Sequence, residues 1–221
     1  MSFITGTQME TTFAGPLTYQ AAGTPATAGW VQVAGAVTTI QNLMVQATGA
    51  SGAGGFVQPS LGPFLAAARP GSLAKIIANG VVSWVATAST TATFSFGVTT
   101  AAQAAATGAA AGTPITLITS QAYPNNTTSQ TNISWRFELD LLVRQVGIGT
   151  TAVSTAILTT GVGGFTAATN ANSIWGPLPS QVVTTVDTTS LNYLWAAVTF
   201  GTNASASNTC TMLDMLVFGC N

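Results

Sequence analysis

The sequence predicts an all-β protein, an antiparallel β-sandwich or barrel that follows an extended N-terminal arm. From about residue 60 onward, β-prone runs alternate with turn residues at the short spacing typical of these folds. One of these runs, residues 134–146, alternates between apolar and mostly charged side chains. No sustained helical pattern and no internal repeat accompanies them. The 221 residues therefore suffice for one large β domain and an arm.

The strand predicted over residues 134–146 has the clearest pattern in the chain. Five apolar residues face one way and four charged residues face the other, as the two-residue period of a strand requires. A shift of one residue would exchange the apolar face for the charged face, so the register is well specified. The apolar set is Trp135, Phe137, Leu139, Leu141 and Val143, and the charged set is Arg136, Glu138, Asp140 and Arg144.

The other predicted strands are bounded by Gly, Pro and Asn residues. Asn79-Gly80 interrupts the first of them as a turn or a bulge, and the glycine-rich residues 161–164 break another. The irregular segments are residues 101–112 as a short helix or a loop, 123–132 as a polar loop, and 201–208 as a polar loop of hairpin character. The strands are predicted at residues 73–85, 91–98, 115–120, 151–160, 182–186, 191–200 and 209–218.

The N-terminal part of the chain has a weaker pattern, rich in Gly, Thr, Ala and Pro. Short strands are predicted at residues 30–33 and 37–45, with a helix as the alternative for the second. The GASGAGG sequence at residues 49–55 is typical of a flexible link. The predicted organisation is a partly extended arm over residues 1–58 and a β-sandwich domain over residues 59–221.

Charged residues are unusually rare. They make up 4% of the chain, against about 25% in an ordinary soluble domain. Apolar residues make up 47%, and the formal net charge is −1, so little self-repulsion keeps copies apart. This composition favours a protein whose surface is largely covered by partners.

Nucleic acid and membrane are both disfavoured as partners. Four cations, Arg69, Lys75, Arg136 and Arg144, are too few to neutralise many phosphates. The most apolar run, residues 73–86, is shorter than the ~18 residues that a membrane helix needs. The N-terminus has no signal-peptide pattern, so we expect synthesis in the cytoplasm.

The pattern of acidic residues does not favour an enzyme. The chain has no His, so the usual serine and cysteine triads cannot form. Glu138 and Asp140 lie roughly 7 Å apart on one strand face, a separation that a glycosidase could use. An ion-pair ladder with Arg136 and Arg144 is the favoured interpretation, because neighbouring cations hold both acids ionised.

Metal and cofactor sites are not predicted. Cys210 and Cys220 lack metal-binding spacing and are expected to be buried thiols, with a disulfide as the alternative. Asp187 is expected to cap a turn rather than to bind Ca²⁺.

Tryptophans provide the remaining candidates. Trp84, Trp135 and Trp195 lie within strand patterns and are expected in the core. Trp175 lies in a loop and is expected at an interface, while a carbohydrate site lined by aromatic residues is the alternative. The candidate subunit contacts are therefore Arg136, Glu138, Asp140, Arg144 and Trp175.

Three stretches of the chain resemble a known family. Residues 62–83 read GPFLAAARPGSLAKIIANGVVS and are followed by TATFSFGV at residues 91–98. Residues 131–162 read TNISWRFELDLLVRQVGIGTTAVSTAILTTGV, and residues 186–219 read VDTTSLNYLWAAVTFGTNASASNTCTMLDMLVFG. Together they resemble the small β-rich virion structural proteins of tailed bacteriophages.

This resemblance implies a jelly-roll-like sandwich that assembles as a homotrimer on the virion surface. Members of such a family are capsid decoration (cement) proteins or components of head and tail fibres. The expected partners are further copies of the chain and the major capsid protein or other virion proteins. A tail or fibre component that binds host glycan is the alternative function.

Overall fold

In the computed structural model, most of the residues that are described lie in β-strands. The structure describes residues 10–14, 33–34, 41–43, 61, 68–84, 91–100, 115–124, 129–146, 154–165, 175–178, 182–187, 193–201 and 208–220. None of these residues is helical. The strands are β1 (Glu10–Ala14), β2 (Val33–Ala34), β3 (Gln41–Asn42), β4 (Leu73–Trp84), β5 (Thr91–Thr99), β6 (Ile115–Thr119), β7 (Tyr123–Pro124), β8 (Gln130–Val146), β9 (Ser154–Phe165), β10 (Gly176–Pro177), β11 (Val182–Asp187), β12 (Tyr193–Phe200) and β13 (Thr209–Cys220).

These strands form two antiparallel sheets. The large sheet has the order β1-β13-β4-β8-β9-β10, with β2 also pairing with β13 and β11 with β9. The small sheet has the order β3-β12-β5-β6, with β7 also pairing with β5. Four of the pairs are nested along the chain, because β1 pairs with β13, β3 with β12, β4 with β8, and β5 with β6. The chain is thus folded back on itself like one long hairpin whose strands alternate between the sheets.

The core lies between the two sheets. The predicted apolar face of β8 is buried along its length, from Trp135 to Val143. On the small sheet, Phe94 and Phe96 are buried, and their ring centroids lie 4.9 and 5.1 Å from that of Phe137. The inward-facing side chains of β5 and β8 therefore pack against each other across the two sheets. The predicted all-β sandwich is confirmed.

The prediction that the glycines at 161–164 break a strand is wrong, because β9 continues to Phe165. Gly163 is the register partner of Phe137 and faces the core. A Cβ at this position would lie 2.7 Å from Cε1 of Phe137, so glycine makes room for the ring. Tyr123, which the sequence predicts in a loop, lies in β7. Its hydroxyl donates a hydrogen bond to the Gly163 carbonyl at 3.3 Å.

Two further local predictions differ from the structure. Asn79-Gly80 does not interrupt β4, and the register shift lies opposite it, between Met212 and Asp214 of β13. The segment at residues 201–208 does not close a hairpin, because β12 pairs with β5 and β3 while β13 pairs with β4. β12 belongs to the small sheet and β13 to the large sheet, so the connection between them passes from one sheet to the other.

The described residues of the predicted arm pair with the edges of both sheets. β1 and β2 lie along β13, and β3 lies along β12. β3 falls within residues 37–45 and is a strand, as the first of the two interpretations predicted. The predicted link at residues 49–55, the helix or loop at 101–112 and the side chain of Trp84 lie outside the described residues.

Candidate functional site

Most charged residues of the chain lie on one surface, the side of the large sheet that faces away from the small sheet. We call this surface the outer face. Strand alternation places the charges here, since the opposite side of each strand is committed to the core. Four acidic and three basic side chains lie there, so the surface has little net charge. The charged residues of the outer face are Lys75 on β4, Arg136, Glu138, Asp140 and Arg144 on β8, Asp187 on β11, and Asp214 on β13.

Glu138 is the centre of an ion-pair cluster on the outer face. Its Oε2 lies 3.2 Å from Nζ of Lys75, and its Oε1 lies 2.9 Å from Nη2 and 3.0 Å from Nε of Arg136. The hydrogen bonds from Lys75 and Arg136 lower the pKa of the Glu138 carboxyl below its ordinary value. Both cationic side chains are about 40% exposed, and such pairs contribute roughly 0–1 kcal/mol each. The cluster therefore determines the charge pattern of the surface and contributes little to the stability of the fold.

Sequence reasoning did not include Lys75 among the candidates. It belongs to β4, and its register partner across the strand pair is Asp140. The alternation of β4 already placed Lys75 on the side opposite Ala74 and Ile76, which are both buried. The missing information was the pairing of β4 with β8, which brings Lys75 beside residues that are distant in the sequence.

The predicted ion-pair ladder is confirmed at one step and absent at the other. Arg136 and Glu138 form an ion pair, whereas Asp140 and Arg144 form none with any described residue. The register shifts between Val143 and Gln145, which makes Arg144 the extra residue of a β-bulge. As a result Arg144 and Gln145 are both exposed, in succession, at this end of β8.

Apolar side chains lie between the charges of the outer face. One row crosses three strands, because Leu73 is the register partner of Leu142, which in turn pairs with Leu158. Leu73 is 39% exposed, and the other two are partly exposed. In a second row Val162, which is 37% exposed, is the partner of Glu138. A surface of mixed charge and exposed apolar groups is typical of a protein–protein contact.

Trp175 is at the margin of the same sheet. It directly precedes β10, whose Pro177 is the register partner of Val162. Trp175 is 46% exposed, the largest exposed fraction among the large apolar side chains of the described residues. The structure thus places Trp175 next to β10, two strands away from the candidates on β8.

The small sheet has a different exterior. Its described strands carry no charged residue, and Trp195 and Ala197, which point away from the inter-sheet core, are buried. The indole of Trp195 lies over Gly97, where no Cβ would fit, and donates a hydrogen bond to the Val98 carbonyl at 3.1 Å. Trp135 and Trp195 are both buried, as predicted, but only Trp135 lies between the two sheets, while Trp195 is buried on the other side of the small sheet.

The titratable groups of the core are held neutral. Burial raises the pKa of Tyr123 to about 12 and raises the pKa of the Cys210 thiol, which is free. Glu138 is shifted in the opposite direction from the one that a general acid needs. Within the described ranges, no group of three His, Cys, Asp or Glu residues is placed to hold a metal ion. The same residues contain no helix that could span a membrane.

Comparison with known proteins gives no match. No family model fits the chain, and neither a curated protein nor a solved structure is similar to it.

Proposed function

We propose that the protein is a bacteriophage virion structural protein, a capsid decoration (cement) protein that binds the head surface as a homo-oligomer and stabilises it. The observation that carries this proposal is the outer face of the large sheet. A chain with only 4% charged residues concentrates most of them there, with both signs interspersed among exposed leucine and valine side chains. Such a surface fits a contact that is repeated over a lattice, where unpaired charge would be costly to bury.

The strand order supports the jelly-roll part of the proposal. The four nested antiparallel pairs divide eight strands between two sheets as β1-β13-β4-β8 and β3-β12-β5-β6. This is the order that results when a single long hairpin is wrapped into a sandwich with two Greek keys, and viral capsid domains commonly use it. In this interpretation β9, β10 and β11 extend the first sheet beyond the eight basic strands.

The proposal names two kinds of partner. Copies of the chain associate with one another, in threes according to the family resemblance, and the assembly binds the major capsid protein or another virion protein. The protein is made in the host cytoplasm and functions on the virion surface without catalysis or cofactor.

The test compares phage particles that carry the protein with particles from a deletion mutant. Heads without the protein should release their DNA at a lower temperature or under a milder osmotic shock. Adding back purified protein should restore stability, whereas a variant with reversed charge on the outer face, Arg136→Glu, should restore less. A variant with a new charge on the small sheet, Thr116→Arg, is the matched control, since Thr116 is exposed on β6. Equal stability of both kinds of particle would refute the proposal.

Exposure of Trp175 favours a second candidate function, a tail or fibre component that binds host glycan. An exposed indole offers a flat apolar surface of the kind that sugar rings stack on. In that case Trp175→Ala should abolish binding on a glycan array and slow phage adsorption. Normal adsorption of the deletion phage would exclude this alternative.

A further inference from the structure

We infer that two copies of the chain associate face to face through their outer faces, around a two-fold axis over Leu142, so that Asp140 of each copy pairs with Arg144 of the other. This rests on the proposed function, which treats the outer face as a contact, and it specifies the partner and the geometry of that contact. Three features of the surface support it, namely an apolar row, two charges that form no ion pair with a described residue, and the symmetry of their positions.

The apolar row supplies the area of the contact. Leu73, Leu142 and Leu158 lie side by side on β4, β8 and β9. Three neighbouring strands give the row a width of about 10 Å. Its side chains are still partly exposed, and Leu73 is among the most exposed large apolar residues of the described chain. Covering them with the same row of a second copy removes apolar surface from water on both sides.

The two charges lie on either side of this row on β8. Asp140 precedes Leu142 by two residues and Arg144 follows it by two, so each lies roughly 7 Å from it along the strand. Neither forms an ion pair with any described residue, in contrast to the neighbouring Arg136 and Glu138. The bulge between Val143 and Gln145 keeps Arg144 exposed.

The symmetry follows from these positions. A two-fold axis that lies between two stacked sheets, perpendicular to β8 and over Leu142, makes the two β8 strands run antiparallel. Residues at equal distances before and after Leu142 then face each other, which brings Asp140 opposite Arg144 twice. Packed sheets lie about 10 Å apart, within the combined reach of an arginine and an aspartate. A contact of this kind is isologous, so the same patch serves both copies.

The charges of β8 also disfavour neighbouring positions of the axis. An axis over Asp140 would stack that carboxylate on its own copy and bring Arg136 opposite Arg144. An axis over Glu138 would stack Glu138 on itself. Like charges in contact are strongly unfavourable and so select against these arrangements. Of these three positions, the one over Leu142 combines apolar groups at its centre with opposite charges on both sides.

Charge reversal tests the inference directly. The single variants Asp140→Arg and Arg144→Asp each create two like-charge contacts and should weaken self-association at least tenfold at low salt. The double variant D140R/R144D should associate like the wild type, because the exchanged charges are again complementary. An equimolar mixture of the two single variants should form mixed pairs, since one copy then carries cations at both positions 140 and 144 and the other carries anions at both. Sedimentation velocity measures association, and far-ultraviolet circular dichroism verifies that each variant is folded.

Thr116→Arg, on the opposite side of the sandwich, is the control and should leave association unchanged. The wild type should have a mass that is an even multiple of the chain mass, with three-fold assembly occurring only as paired trimers. A monomer, a lone trimer, or single variants that associate as the wild type does would overturn the inference. If the proposed function is wrong, the protein will be absent from purified virions, irrespective of how the charge-reversal variants associate.

Discussion

Replacing Gly163 with alanine tests how the two sheets are fitted together. An added Cβ would meet the ring of Phe137, at 2.7 Å from Cε1 and 2.8 Å from Cγ, distances at which one group must move. The ring has little room to move, because the centroids of Phe94, Phe96 and Trp135 lie 4.9, 5.1 and 5.7 Å away. We therefore expect G163A to lower the free energy of unfolding.

The magnitude follows from two opposing effects. Overpacking of a well-filled core costs about 1–3 kcal/mol, and a site closed by aromatic rings belongs near the upper end, about 3 kcal/mol. Alanine also reduces the conformational entropy of the unfolded chain, which offsets about 1 kcal/mol of that cost. The net loss is about 2 kcal/mol, which corresponds to a Tm lower by about 4–8 °C in a protein of this size.

Urea unfolding of four proteins measures the effect, namely wild type, G163A, Phe137→Leu and the double variant. Phe137→Leu alone opens a cavity, which the methyl group introduced by G163A partly fills in the double variant. The two losses should therefore not add, and a coupling of about 1 kcal/mol or more should remain. Gly71→Ala is a control, because a Cβ there contacts nothing and its cost, about 1–2 kcal/mol, comes only from a φ of +95°. A G163A variant as stable as wild type, or losses that simply add, would refute this account of the core.

Three further predictions concern pH and reactivity. Glu138→Gln should lower the free energy of unfolding by less than about 1 kcal/mol at neutral pH, because the ion pairs of Glu138 are exposed. The pKa of Glu138 is lowered in the fold, so this difference in free energy should vanish as pH falls below that pKa. Urea titrations in acid measure it. Tyr123→Phe should make the free energy of unfolding less sensitive to alkali. In the wild type this free energy falls as pH rises from about 10 to about 12, because the phenol ionises in the unfolded chain while its folded pKa of about 12 keeps it neutral in the fold. Parallel alkaline melts in which the two proteins are equally sensitive would contradict this. Cys210, a buried thiol with a raised pKa, should react with iodoacetamide only as fast as the protein unfolds. Peptide mass spectrometry that finds rapid modification at Cys210 in the native protein would be inconsistent with its burial.

Local pattern was sufficient to predict much of the sandwich. β8 was predicted with its two faces because its alternation needs no knowledge of the rest of the chain, and the core side is buried from Trp135 to Val143. The same holds for β5, where Phe94 and Phe96 point inward as expected. In both strands the two-residue period continues long enough to distinguish a strand from a helix.

The errors arose where the outcome depends on residues distant in the sequence. Glycine generally weakens a strand, yet Gly163 is retained in β9 because the ring of Phe137 fills the space beside it. The polar segment before β13 resembled a hairpin loop, and only the pairing of β12 and β13 with other strands shows that it joins two sheets.

The candidate site was predicted in part for the same reason. The β8 charges share one face, as their spacing required, but the partner of Glu138 on β4 was not foreseen. Whether Lys75 lies beside Glu138 depends on the register of β4 against β8, which composition and spacing do not specify. The bulge that separates Arg144 from the ion-pair cluster is likewise a property of the strand pair.

Purified virions test the central claim most directly. Particles of the phage that encodes the chain would be isolated on a density gradient, analysed by quantitative mass spectrometry and imaged by electron cryo-microscopy. The account predicts many copies per particle, on the outside of the head, with the large sheet of each copy in contact with another subunit through its outer face. Virions that lack the protein, or carry it with that face open to solvent, would contradict the account.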